Sequence, residues 1–166
     1  MPDSIVSAAW LDASVDDLAQ RIVRRALLDV GIIEMPPGSN RSPRIDTYVT
    51  AVGSPPGSRW CAAAVAAWWR DAGAVVPPHN AGSCDAWHAW AVENARWRTA
   101  PEPGYAVLFG ATSKAVHIGV IVRVAPLVLS IEGNTSLGAL DVNAVAVALK
   151  QVSAERVLGY VAPSSP

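Results

Sequence analysis

The sequence predicts an α+β domain in which helices come first and an antiparallel β-sheet follows. Three observations carry this. Up to about the middle of the chain, apolar residues recur at helical spacing. After "TAPEPG" the character changes to short runs rich in Val, Ile and Leu, separated by turn residues. The chain has 166 residues, 51% of them hydrophobic and 16% charged, which suits one domain over 1–166 with one core.

The first ~30 residues read as a helix, with Leu18, Ile22, Ala26 and Leu27 at helical spacing, Asp16 and Asp17 in its favoured first turn and Gly31 at its end. "EMPPGSNRSPR" is a loop by its Pro and Gly-Ser-Asn punctuation, and "IDTYVTAV" a short helix or turn. A second long helix runs from about Trp60 to Ala72 and is closed by Gly73. Ser83 is placed to cap a further helix through Trp87, Trp90 and Ala91. Five strands follow: "YAVLFG", "AVHIGVIVRV", "LVLSIEGN", "AVAVALKQV" and "VLGYVAP". There is no internal repeat and no low-complexity segment.

Composition excludes some function classes. The formal net charge is −1, and no Lys/Arg cluster exists to release counterions, so neither a nucleic-acid groove nor a basic lipid-binding patch is expected. "MPDSIVSAAWLDASVDD" lacks a basic start followed by an apolar run, so no signal peptide is expected. No stretch is long and apolar enough to span a bilayer. Cys61 and Cys84 are the only two cysteines. Spacing leaves a single bridge between them open, but two thiols make no disulfide framework.

The stretch "PPGSRWCAAAVAAWW" sets a cysteine at the start of an alanine-rich helix. Cys61, Val65, Trp68, Trp69 and Ala72 share a face, so Cys61 points inward. It also sits where free backbone N–H groups and the helix dipole favour a thiolate, and the same N–H groups can hold an oxyanion. A gap-filling buried cysteine is the plainer reading of that residue alone. A nucleophile needs a base as well.

His117 lies mid-strand. Period-two alternation sets Val116, Ile118, Val120 and Val122 on one side, and His117, Gly119, Ile121 and Arg123 on the other. If Ala125 and Pro126 centre the hairpin loop, Val124 pairs with Leu127, Gly119 faces Glu132, and His117 faces Asn134. Ser130, Glu132 and Asn134 then share the histidine's face, and Gly119 leaves room over it. One hairpin would thus present an imidazole with a carboxylate and an amide to orient it, which a catalytic base requires. A one-residue slip would turn Glu132 and Asn134 away. The order Cys, His, then acid or amide is that of papain-like cysteine hydrolases, in which the helix bearing Cys packs on the sheet bearing His.

The stretches "GSNRSPRIDTYV", "PPGSRWCAAAVAAWWRDAG", "AVHIGVIVRV" and "SIEGNTS" resemble the CHAP domain, a branch of the NlpC/P60-type papain-like superfamily common in phages and bacteria. The resemblance runs from Leu18 to Pro163. It implies a papain-like fold and a peptidoglycan hydrolase that cleaves amide bonds, as an amidase or a peptide endopeptidase. By position it puts the nucleophile at Cys61, the base at His117 and the third polar group at Glu132, with Asn134 often counted in the site. Asn40, Arg41 and Asp46 fall in the family's N-terminal motif, with a structural or cleft-forming part. No Asp-x-Asp-x-Asp/Asn-Gly loop occurs, so no calcium and no cofactor are expected. The length leaves no room for a separate wall-binding domain, which leaves wall targeting to a partner protein or a larger assembly. The protein would be made in the cytoplasm and reach the wall after phage lysis or by non-classical export.

Other features compete. His79, Cys84, Asp85 and His88 lie close in sequence, and Cys84 and His88 are a usable zinc pair one helical turn apart. They come from one short segment among apolar Trp neighbours, so packing is expected and no metal. Trp68, Trp69, Trp87 and Trp90 sit at helix-face spacing and read as core. Trp60, beside the nucleophile and off the inward face, is expected in the substrate cleft. Two other functions compete: a catalytically silent wall-binding or structural module of the same fold, and a toxin or effector hydrolysing another amide.

Overall fold

The structure, a computed structural model, describes residues 17–136 and 145–166. Its helices are Leu18–Leu28 (α1), Pro43–Ala51 (α2), Cys61–Asp71 (α3) and Cys84–Glu93 (α4). Its strands are Trp97–Arg98 (β1), Ala106–Ala111 (β2), Lys114–Arg123 (β3), Leu129–Ser136 (β4), Val145–Gln151 (β5) and Val157–Val161 (β6). The strands form one antiparallel sheet in the order β1-β6-β2-β3-β4-β5. The mixed α+β class, with helices preceding the sheet, is as the residue pattern predicts. The two-residue β1 is too short to leave a pattern, and the part of the first helix expected before Asp17, with Asp16, lies outside the described residues.

The helix starts follow local chemistry. Asp17, Ser42 and Ser83 cap α1, α2 and α4 by accepting from the N–H groups of Ala19, Ile45 and Ala86. Pro43 opens α2, where its missing N–H costs nothing. α3 differs: Trp60 stands at its N-cap and no side chain caps it. Its first-turn N–H groups therefore remain available.

α3 is the central helix. It packs on α1 and α2 and lies against β3 and β4, while α4 covers β3. Cys61 through Ala66, Trp68 and Trp69 are all buried, a wider face than the expected stripe. A buried carboxylate ties the helices together. Asp29 accepts from Arg44 Nη2 at 3.0 Å, Tyr48 Oη at 2.6 Å and Trp68 Nε1 at 2.8 Å. These donors outweigh burial, which opposes the charge, and hold Asp29 below the usual carboxylate range. Leu108, Ile118, Val120, Ile131 and Val161 face the helices. Val107, Phe109, Ile121 and Tyr160 make a smaller cluster on the opposite face of the sheet.

The hairpin of β3 and β4 pairs Gly119 with Glu132, Val120 with Ile131 and Ile121 with Ser130. That is the register counted from the sequence, but the turn is not the expected one. Val124 does not pair with Leu127. A longer link joins the strands, and an irregularity between Ile121 and Arg123 absorbs the one-residue offset. Two further expectations are corrected by bulges. A break between Phe109 and Gly110 in the pairing of β2 with β3 moves Ala115 onto the core face and leaves Val116 exposed. The pairing of β3 with β4 ends at Gly119 and Glu132, and β4 bulges against β5 between Glu132 and Thr135. Asn134 takes a positive φ of 55° there and does not pair with His117.

Candidate active site

Beyond Gly119 and Glu132 the two strands part, and the start of α3 comes in at that opening. Gly133 is the reason it can. A Cβ on Gly133 would lie 2.8 Å from the Trp60 ring and 3.0 Å from the Ala64 methyl. The bare backbone lets β4 run under the first turn of α3. Gly119 has the matching role one strand away. A Cβ there would meet Glu132 Cγ at 2.7 Å and the Ile131 carbonyl at 2.9 Å. Its absence gives the Glu132 side chain a path across β3 to the histidine.

The result is a chain of contacts. Ser130 Oγ, fully buried, donates to Glu132 Oε1 at 2.6 Å. Glu132 Oε2 lies 2.9 Å from His117 Nε2. The His117 ring stands close enough to Cys61 that each shifts the ionisation of the other. With Nε2 engaged by the carboxylate, Nδ1 is the ring nitrogen left for the sulfur. The His117 ring also lies beside Phe109, with ring centres 5.7 Å apart.

The electrostatics favour a thiolate–imidazolium pair. A hydrogen bond from Cys84 lowers Cys61 most; burial opposes, and His117 and the Ala62 N–H lower it further, so the thiol sits well below its ordinary value. Burial disfavours the charged imidazole, but the hydrogen bonds and charges of Cys61 and Glu132 outweigh it and raise His117 to about 9. Burial works to raise Glu132, but the hydrogen bond and charge of His117, the Ser130 hydroxyl and the charge of Lys150 hold it below the ordinary range.

His117, Glu132 and Asn134 line a cleft of about 550 Å³ that also holds three cations, Arg59, Lys150 and Arg156. Cys61 keeps 8% of its surface exposed. No protein-family model, curated protein or solved structure matches the chain.

Of the residues singled out from sequence, Cys61, His117 and Glu132 are brought together. Asn134 lines the cleft wall without a hydrogen bond to the histidine. Trp60 is a correction. Its side chain is fully buried, stacks on Tyr48 with ring centres 6.1 Å apart, and donates from Nε1 to Glu34 Oε1 at 3.0 Å. It anchors the start of α3 and takes no part in the cleft. The reason is Glu34, a buried carboxylate that supplies the indole with an acceptor and also accepts from the Asn40 N–H. Arg41 pairs with Asp46 at 2.8 Å, and Asn40, Arg41 and Asp46 are not among the cleft residues.

Alternation sets Ser130 on the histidine's face, and its role there, as donor to Glu132, comes from the structure. The cations had no local signal at all. The candidate zinc residues diverge: His88 stacks edge-on against Trp97 at 4.6 Å, Asp85 accepts from the Ala115 N–H at 2.9 Å, and Cys84 faces Cys61. Among the described residues no three His, Cys, Asp or Glu side chains converge as a metal site, and no helix is long and apolar enough to cross a membrane.

Proposed function

We propose that the protein is a papain-like cysteine hydrolase that cleaves amide bonds in peptidoglycan. The observation that carries the chemistry is the His117–Glu132 pair, braced by Ser130 and set beside Cys61 at an uncapped helix start. The Cys61 thiolate attacks the scissile carbonyl carbon. The free N–H groups of the first turn of α3 stabilise the oxyanion. The His117 imidazolium donates its proton to the leaving amine, then takes one from water as the acyl-enzyme is hydrolysed. Glu132 holds the ring in one orientation and stabilises its charged form, and Ser130 fixes Glu132. The wall substrate rests on the resemblance of the Cys61 helix start and the "SIEGNTS" strand to CHAP domains. The cleft suits it: Arg59, Lys150 and Arg156 favour an acyl donor that carries free carboxylates.

The test is digestion of purified sacculi, with mass spectrometry of the released muropeptides. Wild type is expected to release fragments cut at a single type of amide bond, and Cys61→Ala none while keeping its circular dichroism spectrum. Intact sacculi with wild type, or digestion by Cys61→Ala equal to wild type, would sink the reading.

A further inference from the structure

The two cysteines are separated by 23 positions in sequence, yet their sulfurs lie 3.8 Å apart. Both are free and buried. Each is the first residue of its helix, Cys61 of α3 and Cys84 of α4. The helices are held together behind them by Trp69 and Trp87, whose rings meet edge-on with centres 5.0 Å apart. Asp85, the next residue of α4, is tied to the Ala115 N–H of β3, the strand that carries His117. Cys84 is thus fixed against the nucleophile by packing on one side and a hydrogen bond on the other. Amide hydrolysis as proposed above consumes no electrons and gives the second thiol no step of its own.

We propose that Cys61 and Cys84 form a dithiol site that takes a hydroperoxide and closes to a reversible disulfide. The Cys61 thiolate attacks one peroxide oxygen. The S–O bond forms as the O–O bond breaks, sulfur is oxidised to the sulfenic acid, and the peroxide leaves as hydroxide, which the His117 imidazolium protonates to water. The Cys84 thiol then attacks the Cys61 sulfur, giving up its proton to the departing hydroxyl. An S–S bond forms, the S–O bond breaks and a second water leaves. A dithiol reductant then breaks the S–S bond by exchange, returning both thiols and itself becoming a disulfide.

The two sulfurs differ in the way this chemistry needs. The hydrogen bond between the sulfurs lowers Cys61, helped by His117 and the Ala62 N–H against burial, and the same bond raises Cys84, helped by burial and by the charges of Cys61 and Asp85. Attack therefore starts at Cys61, and Cys84 acts second. To bond, the sulfurs must close from 3.8 Å to about 2.05 Å, an approach of under 2 Å for side chains in the first turn of each helix. Cys84 also intercepts the sulfenic acid before a second peroxide can carry it to the irreversible sulfinic acid.

The test treats the full chain with a small excess of hydrogen peroxide and follows thiol count, intact mass and a non-reducing peptide map. Wild type is expected to lose both thiols together with a mass loss of two hydrogens, to yield a peptide joining Cys61 to Cys84, and to regain both thiols in dithiothreitol. Cys84→Ser is expected to gain oxygen at Cys61 that dithiothreitol does not fully remove, and Cys61→Ser to keep the Cys84 thiol. Wild type that gains oxygen without the joined peptide overturns the proposal, whether or not it digests wall. A peptide map of the wild type needs no variant to fold, and thiol counting needs no wall substrate, so failure here is distinct from failure of the hydrolase reading.

Discussion

Replacing Glu132 by glutamine is expected to shift Cys61 reactivity towards alkaline pH and to cost about tenfold in thiolate at mildly acidic pH. Glutamine keeps the shape and can still accept from His117 Nε2, but it removes the charge that lies 2.9 Å from the ring. His117 stands at about 9 instead of 6.5, which is worth roughly 3 kcal/mol in favour of the imidazolium. Cys61 and Glu132 supply that preference between them against the burial penalty. Burial opposes that preference, so the two together supply more than the net value, and losing even one pKa unit of it, about 1.4 kcal/mol, is about a factor of ten in the population of the ion pair. The assay is the rate of iodoacetamide alkylation at Cys61, read by peptide mapping across pH. Wild type is expected to react well below the ordinary thiol range, and Glu132→Gln to need a higher pH for the same rate. Asn134→Ala is expected to leave the profile unchanged, because Asn134 lines the cleft without bonding the ring. Superimposable profiles for Glu132→Gln and wild type, with the fold intact, would refute the electrostatic role given to Glu132.

Gly119→Ala sets a methyl 2.7 Å from Glu132 Cγ and 2.9 Å from the Ile131 carbonyl; overpacking of this kind costs about 1–3 kcal/mol, so thermal melting should show lower stability and iodoacetamide slower reaction at Cys61. Stability should fall on both sides of neutrality: Glu132 and Asp29 are held below the usual carboxylate range in the fold, so their contribution is lost as pH drops through those lowered values. Between its unfolded value and about 9 the raised His117 loses its contribution while the lowered Cys61 gains an equal one, so the alkaline fall begins above that, where the Cys84 thiol ionises in the unfolded chain but is held protonated in the fold. Urea midpoints measured across pH check both limbs, and a Cys84→Ser variant should have a weaker alkaline limb.

Much of the site was readable because its parts are local. A cysteine after a Pro-Gly-Ser loop opens a helix by short-range rules, and period two sets the faces of the strand bearing His117. Counting across a short hairpin puts Glu132 opposite Gly119, and the structure keeps that pair with a longer link because an irregularity between Ile121 and Arg123 offsets it. The same count does not carry to Asn134, two positions further along the strand. The bulge that gives Asn134 its positive φ depends on how β4 meets β5, not on the hairpin. Trp60 was misplaced for a related reason: whether an indole beside a nucleophile faces a cleft or the core depends on Glu34, from a loop 26 positions earlier.

The sequence by itself determined the α+β class, the helix that begins at Cys61 and the strand that carries His117, because each follows from loop punctuation and periodicity, while the pairing of Gly119 with Glu132 holds through a longer link and an offsetting irregularity. Only the tertiary structure decided which of these groups touch. It joined Ser130 to Glu132, turned Trp60 into an anchor, set Cys84 against Cys61, and gathered Arg59, Lys150 and Arg156 from a loop, a strand and a 3-10 turn into one cleft. These contacts bring together side chains from separate elements, and their distances are set by how helices and sheet pack. Neighbouring residues carry no record of that packing.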